Sequence, residues 1–237
     1  MNKLAEQWLS EINSNNLDEQ DTNRSIAYAR DLERGLATIR TFPQGVTIFG
    51  SARLKPTDKY YESARKLGAL LAQNGHAVIT GGGPGIMEAA NRGAFEYGGR
   101  SIGLNIQLAH EQHPNPYLTD MTEFRYFFAR KVMLVFASKV YVFMPGGFGT
   151  LDEFSEVLLL MQEGKMPKMP MFLIGKSFWS PLLKFFNNKM YPMALIHKRD
   201  EKIFTLTDDI TEVVKAANKI GHPLVNENFY DDFSKHI

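Results

Sequence analysis

Between residues 45 and 220 short apolar runs alternate with longer amphipathic ones, and this alternation restricts the fold more than any other feature of the chain. The runs at 46–49, 77–80, 102–106, 140–143 and 171–174 have the length and β-branched content of buried strands. The stretches at 59–73, 86–97, 127–137, 151–163, 178–188 and 208–220 space their apolar residues three and four apart, as helices do. Strands that alternate with helices pair in parallel through crossovers, and the helices then cover both faces of the sheet. The implied fold class is α/β: a Rossmann-like, doubly wound and mostly parallel sheet.

Two further helices are predicted ahead of this core. Residues 3–12 carry Leu4, Trp8, Leu9 and Ile12, and residues 25–39 carry Ile26, Tyr28, Leu32, Leu36 and Ile39. Thr41-Phe42-Pro43-Gln44-Gly45 then interrupts the helical spacing. The organisation expected is a helical extension over 1–44, a Rossmann-like domain over 45–220 and a tail over 221–237. With 44% hydrophobic residues the 237-residue chain can bury a substantial core. No stretch is apolar for long enough to suggest a membrane span or a secretory signal, so a soluble, cytoplasmic protein is expected.

In parallel sheets ligands bind beyond the carboxyl ends of the strands, so the residues just after each strand are informative. The first predicted strand leads into Gly50-Ser51-Ala52-Arg53 and the second into Gly81-Gly82-Gly83-Pro84-Gly85. The fourth leads through Met144 into Pro145-Gly146-Gly147-Phe148-Gly149-Thr150. Three small or glycine-rich exits at one sheet edge point to a ligand site. Glycine lets backbone N–H groups approach an anion, and a helix starting there adds its positive end. The run from Gly146 to Thr150, entering a helix, fits a phosphate cradle. An ordinary helix start, with Thr150 as N-cap and Glu153 completing a capping box, accounts for the same residues.

Composition and missing motifs narrow the ligand. Lys and Arg total 27 against 26 Asp and Glu, a net charge of +1, which argues against a protein that coats nucleic acid or an anionic membrane. Without cysteine there is no thiol nucleophile, disulfide or Cys-ligated metal. His110-Glu111-Gln112-His113 lacks metal-binding helical spacing, so no metal site is expected. The chain has no G-x-x-x-x-G-K-S/T element, and its glycine run does not match G-x-G-x-x-G in register. A monophosphate fits better than a triphosphate or a dinucleotide, and no cofactor is called for.

Three charged side chains are candidates for the chemistry. Arg130, beside Lys131 on an otherwise apolar helix, has the planar fork that suits a phosphate, although a surface ion pair would explain it too. Glu153, one turn into the helix after the glycine loop, could hold ribose hydroxyls, orient a water or stabilise positive charge at a sugar carbon. Glu88 would be repelled by a phosphate and is read as a ribose contact.

These motifs resemble one family. Pro145-Gly146-Gly147-Phe148-Gly149-Thr150-Leu151-Asp152-Glu153 fits P-G-G-x-G-T-x-x-E, the signature of the Lonely Guy (LOG) family of cytokinin-activating phosphoribohydrolases. The segment from Gly81 to Asn91 resembles its first glycine motif, and Phe128-Ala129-Arg130-Lys131 its arginine helix. Gly103 to Ile106, Glu111-Gln112 and Asn115-Pro116-Tyr117 resemble its middle loop. Short family members lack the 1–44 extension.

The resemblance implies a catalytic pair of Arg130 and Glu153 and a phosphate held by Gly146, Gly147, Gly149 and Thr150. Gly82, Gly83, Glu88 and Lys131 would complete the nucleotide site. The implied reaction hydrolyses the N-glycosidic bond of adenosine 5′-monophosphate or its N6-substituted form to free base and ribose 5-phosphate, in a homodimer or higher homo-oligomer. Asp152 is a candidate for protonating the leaving base. A nucleotide sensor that uses the cradle without turnover is the alternative. Many family relatives are labelled lysine decarboxylases, but no lysine here has an interpretable cofactor context.

Overall fold

A computed structural model describes residues 19–41, 45–107 and 113–220. The helix expected over 3–12, the tail over 221–237, and Glu111 and Gln112 of the middle loop lie outside the described residues. Seven strands form one sheet: β1 (Gly45–Phe49), β2 (Ala77–Thr80), β3 (Ser101–Ile106), β4 (Asp120–Phe124), β5 (Ser138–Phe143), β6 (Met171–Ile174) and β7 (Thr205–Thr207). Their order is β4-β3-β2-β1-β5-β6-β7, and every pairing is parallel. The described α-helices are α1 (Glu19–Ile39), α2 (Lys59–Gln73), α3 (Ile86–Glu96), α4 (Phe127–Phe136), α5 (Phe148–Gln162), α6 (Lys176–Phe185) and α7 (Thr211–Ile220). None of them is long and apolar enough to cross a membrane.

Alternate strand residues feed two cores, because successive side chains leave a strand on opposite faces. Ile79, Leu104, Tyr141, Phe143 and Leu173 pack with Met133 of α4, Phe154 of α5 and Trp179 of α6. Val78, Val140, Val142 and Ile174 pack on the other face with Leu67 of α2, Ala90 of α3 and Val213 of α7. Both faces are covered, which is why the central strands read as continuous apolar runs. The doubly wound expectation therefore holds.

β4 and β7 were not expected from the sequence. β4 reads Asp-Met-Thr-Glu-Phe and only Phe124 is buried, as suits an edge strand with one face open. β7 is three residues long, at the opposite edge. Its shortness hides it from any periodicity argument.

The order of strands locates the switch point. The chain builds outward from β1 to β4, then returns to place β5 on the free side of β1. The β1 and β5 exits therefore diverge to opposite faces of the sheet, which opens a crevice at their carboxyl ends. Backbone bonds tie these exits together. Ser51 N–H donates to the Pro145 carbonyl at 3.0 Å, and Ile86 N–H donates to the Ser51 carbonyl at 2.9 Å.

Candidate active site

The crevice holds a cavity of about 880 Å³ lined by the β1 exit, the β5 exit, the first turn of α5, Gly81, Met87, Phe127, Arg130 and Glu153. Each feature that shapes it traces to a sequence element.

The helix after β5 starts at Phe148, three residues before the predicted boundary, with Gly147 as its N-cap. Its first bond runs from Leu151 N–H to the Gly147 carbonyl at 3.1 Å, so the preceding N–H groups are those an α-helix leaves unpaired at its start. The capping box suggested by Thr150 and Glu153 does not form. Thr150 is already helical and buried, and its hydroxyl lies 2.1 Å from where a Gly146 Cβ would stand. Gly146 is thus required by packing.

Gly147 and Gly149 are different. A Cβ at either position would meet nothing within 4 Å, and neither has positive φ. Packing demands a glycine at neither position, and at Gly149, inside the helix, a glycine costs stability relative to alanine. Both line the cavity, so bare backbone faces its open space at these two positions.

Arg130 is 9% exposed and donates from Nε to the Leu104 carbonyl at 2.8 Å. Its fork lies against Gly81, where a Cβ would stand 2.0 Å from Nη2. Burial pulls the guanidinium below its ordinary value while Glu153 opposes that shift. An arginine remains cationic under these conditions.

Glu153 is half-buried in the same cavity. Burial pushes its carboxyl up to about 7, against the pull of Arg130 and with reinforcement from Asp152. A carboxyl that changes charge near neutral pH, next to a fixed cation in a cleft, has the properties of an acid–base group.

The rim is aromatic and basic. Phe148, 92% exposed, and Phe127, 57% exposed, flank the opening together with the exposed Arg53. Sequence reasoning missed these residues as well as Gly81 and Met87. The Gly50 to Arg53 exit was noted as small, and Phe148 sits at the variable position of the glycine motif.

Four sequence candidates lie elsewhere. Gly82 and Gly83 are not cavity residues: their carbonyls accept from Asn115 N–H (2.9 Å) and Asn115 Nδ2 (3.1 Å). The loop is anchored through Asn115 to Asn91 (3.0 Å), whose Oδ1 also accepts from Thr80 at 2.6 Å, so the first glycine motif organises the loop around Gly81. Glu88 accepts from the Tyr61 hydroxyl at 2.7 Å, away from the cavity lining. Lys131 pairs with Asp152 at 2.7 Å and with Glu156 at 3.2 Å, so the carboxylate considered as a proton donor to the base is held in a surface ion pair. The structure therefore brings together Arg130, Glu153, Gly146, Gly147, Gly149 and Thr150, and leaves Gly82, Gly83, Glu88 and Lys131 outside the cavity wall.

Fold and site define a doubly wound α/β protein with a cavity at the switch point of a parallel sheet, lined by the start of a glycine-led helix, an arginine and a glutamate. The chain belongs to the family described as possible lysine decarboxylase, whose profile matches residues 87–217, and the LOG resemblance falls in this family. It is similar to an uncharacterized protein of Archaeoglobus fulgidus, 32% identical over 46% of this chain and 68% of the relative. It is 27% identical to the cytokinin riboside 5′-monophosphate phosphoribohydrolase of Rhodococcoides fascians, over 63% of this chain and 77% of that protein. It is also 27% identical to the pyrimidine/purine nucleotide 5′-monophosphate nucleosidase of Escherichia coli K12, over 80% of this chain but 43% of that enzyme. Among solved structures the molybdenum cofactor binding protein of Rippkaea orientalis shares the fold, with a TM-score of 0.55 at 24% identity over 74% of this chain and 94% of the other.

Proposed function

We propose that the protein hydrolyses the N-glycosidic bond of nucleoside 5′-monophosphates, with adenosine 5′-monophosphate or an N6-substituted form as substrate. The observation that carries this reading is the pair of open glycine positions, Gly147 and Gly149, facing the same cavity as Arg130 and Glu153. The unpaired N–H groups at the start of α5 and the helix dipole receive the 5′-phosphate. The ribose then lies over Glu153, whose carboxylate orients a water and stabilises the cation that develops at C1′. The water supplies OH to C1′ and its proton balances the one taken up by the departing base. Arg130, desolvated and held by Leu104, favours the carboxylate form of Glu153 and stabilises negative charge at the substrate.

The names of the relatives from Rhodococcoides fascians and Escherichia coli support this chemistry. The decarboxylation in the family's description finds no support in the cavity: no lysine is among the described residues that line it, so none is there to hold a pyridoxal-type cofactor as a Schiff base. The same reading includes self-association through α4, which exposes Phe127 and Phe128; light scattering of the full chain should report a dimer or larger.

The test is incubation with adenosine 5′-monophosphate and N6-isopentenyladenosine 5′-monophosphate, with free base followed by chromatography. Base release that Glu153→Gln abolishes is the expected result. No release above that control with either nucleotide refutes the reading.

A further inference from the structure

Asp31 lies in the segment expected to be an appended helical extension, yet it is 3% exposed and holds the backbone of the arginine helix. Its Oδ2 accepts from Arg125 N–H at 2.7 Å and from Tyr126 N–H at 3.0 Å, and its Oδ1 pairs with Arg34. Tyr126 is the N-cap of α4, and its own side chain makes no capping bond. The next link is direct: Arg130 N–H donates to the Tyr126 carbonyl at 3.2 Å. A carboxylate from α1 thus anchors the N–H of the residue whose carbonyl accepts from Arg130 N–H.

Packing makes the anchor rigid. A Cβ on Gly35 would stand 2.2 Å from Met133 Cγ, so α1 lies hard against α4. Tyr28 meets Tyr126 and Phe128 edge-on at 4.5 and 4.9 Å. Thr38 bonds Thr122 of β4 at 2.6 Å, and Arg100 donates to the Thr41 carbonyl at 2.9 Å. Burial opposes the charge on Asp31, but the N–H groups of Tyr126 and Arg125 and the Arg34 guanidinium outweigh it and hold the carboxyl below its ordinary value. Asp31 is therefore charged at neutral pH, as the positive end of α4 requires.

We propose that Asp31 is a positioning residue for Arg130: from α1 it holds the two N–H groups that lead into α4, fixes where that helix starts, and so sets the guanidinium in the cavity that Glu153 also lines. This rests on the proposed hydrolase reading for its kinetic consequence, but not for its structural one. Without Asp31 the chain entering α4 loosens at Arg125 and Tyr126, and with it the first turn that follows, which carries both Phe127 and Arg130. The Leu104 contact fixes one end of the Arg130 side chain while the backbone end drifts. Because Arg130 acts in the reaction step, the loss falls on kcat more than on KM.

The experiment compares full-length Asp31→Ala, Asp31→Asn and Arg34→Ala with the unmodified chain. It reads steady-state kinetics with adenosine 5′-monophosphate and amide hydrogen exchange of peptides covering 125–131 and 211–220, at a temperature where circular dichroism shows every variant folded. For Asp31→Ala, kcat should fall about tenfold or more with KM within about twofold, since an ångström of misplacement suffices for such losses. Exchange at 125–131 should quicken about 2- to 30-fold, the range for losing a side-chain bond to backbone N–H at a helix start, with 211–220 unchanged. Asp31→Asn, whose amide oxygen still accepts both N–H groups, should recover most of the rate, and Arg34→Ala should behave like the unmodified chain. Unchanged exchange at 125–131 in Asp31→Ala, or equal quickening at 211–220, overturns the proposal. So does a kcat that stays at the unmodified value. If the unmodified chain releases no base, the hydrolase reading fails while the exchange result still decides the role of Asp31.

Discussion

Gly149→Ala should make the protein more stable and a poorer ligand binder at once. Gly149 is the second helical residue of α5 and a Cβ there would meet nothing within 4 Å, so the free protein accommodates the methyl without strain. Alanine is favoured over glycine by up to about 1 kcal/mol in a helix interior, and by roughly half that in a first turn. For a chain of this size such a gain raises Tm by about 1–4 °C. The same methyl occupies the space next to the first N–H groups of α5, where the phosphate is proposed to sit. Loss of one hydrogen bond to a charged group is worth about 1.5–3 kcal/mol, or roughly a 10- to 150-fold rise in Kd. Differential scanning fluorimetry reads the first effect, and calorimetric titration with adenosine 5′-monophosphate reads the second. A Tm that falls means the position is not open. A Kd that does not move, with Tm raised as expected, means that the open space is not a phosphate seat, and the cradle is refuted.

Three other perturbations test the site. In Gly81→Ala the new Cβ would stand 2.0 Å from Arg130 Nη2; kcat should drop at least about tenfold while the thermal transition stays cooperative, and a kcat equal to that of the unmodified chain would separate Arg130 from the chemistry. The carboxylate role of Glu153, with its value pushed up to about 7, predicts that kcat/KM rises with pH around neutrality. Because the Asp152 charge helps to raise that value, Asp152→Asn should shift the rising limb to lower pH; a falling limb near 7 would instead make Glu153 the acid. Glu153→Gln should be inactive yet more stable above neutral pH. The folded-state value of Glu153 lies above the unperturbed 4.5, so between about 4.5 and 7 the native state keeps a proton that the unfolded chain has released, and stability falls as pH rises through that window. Removing the carboxyl should recover on the order of 1–3 kcal/mol at pH 8, and denaturant melts of both proteins at pH 5 and pH 8 measure it.

The central strands were legible because each carries enough apolar residues for two covered faces, a property of four to six consecutive positions. β4 and β7 were not, since an edge strand can alternate polar residues or shrink to three without losing its partner. The glycine exits were legible for a similar reason. Glycine is a local signal of close approach, although what approaches differs here: Thr150 at Gly146 and Arg130 at Gly81, with open cavity at Gly147 and Gly149. Helix phase decided the rest: Arg130 and Lys131 are neighbours in sequence, but successive helical residues point about 100° apart. Arg130 turns inward to Leu104, and Lys131 turns to Asp152 and Glu156. Likewise Gly81 faces the cavity while Gly82 and Gly83 face Asn115.

By itself, then, the sequence determined the layered α/β architecture and the sheet edge onto which the glycine-rich exits open. These depend on local spacing, which one stretch of chain specifies alone. Only the tertiary structure decided that β5 returns beside β1 to open the crevice, and which glycine clears space for Arg130. It alone also brought Asp31 to a peptide 94 and 95 residues away. Each of these is a contact between segments that share no local pattern, and folding brings them together by satisfying a buried carboxylate and two backbone donors at the same place.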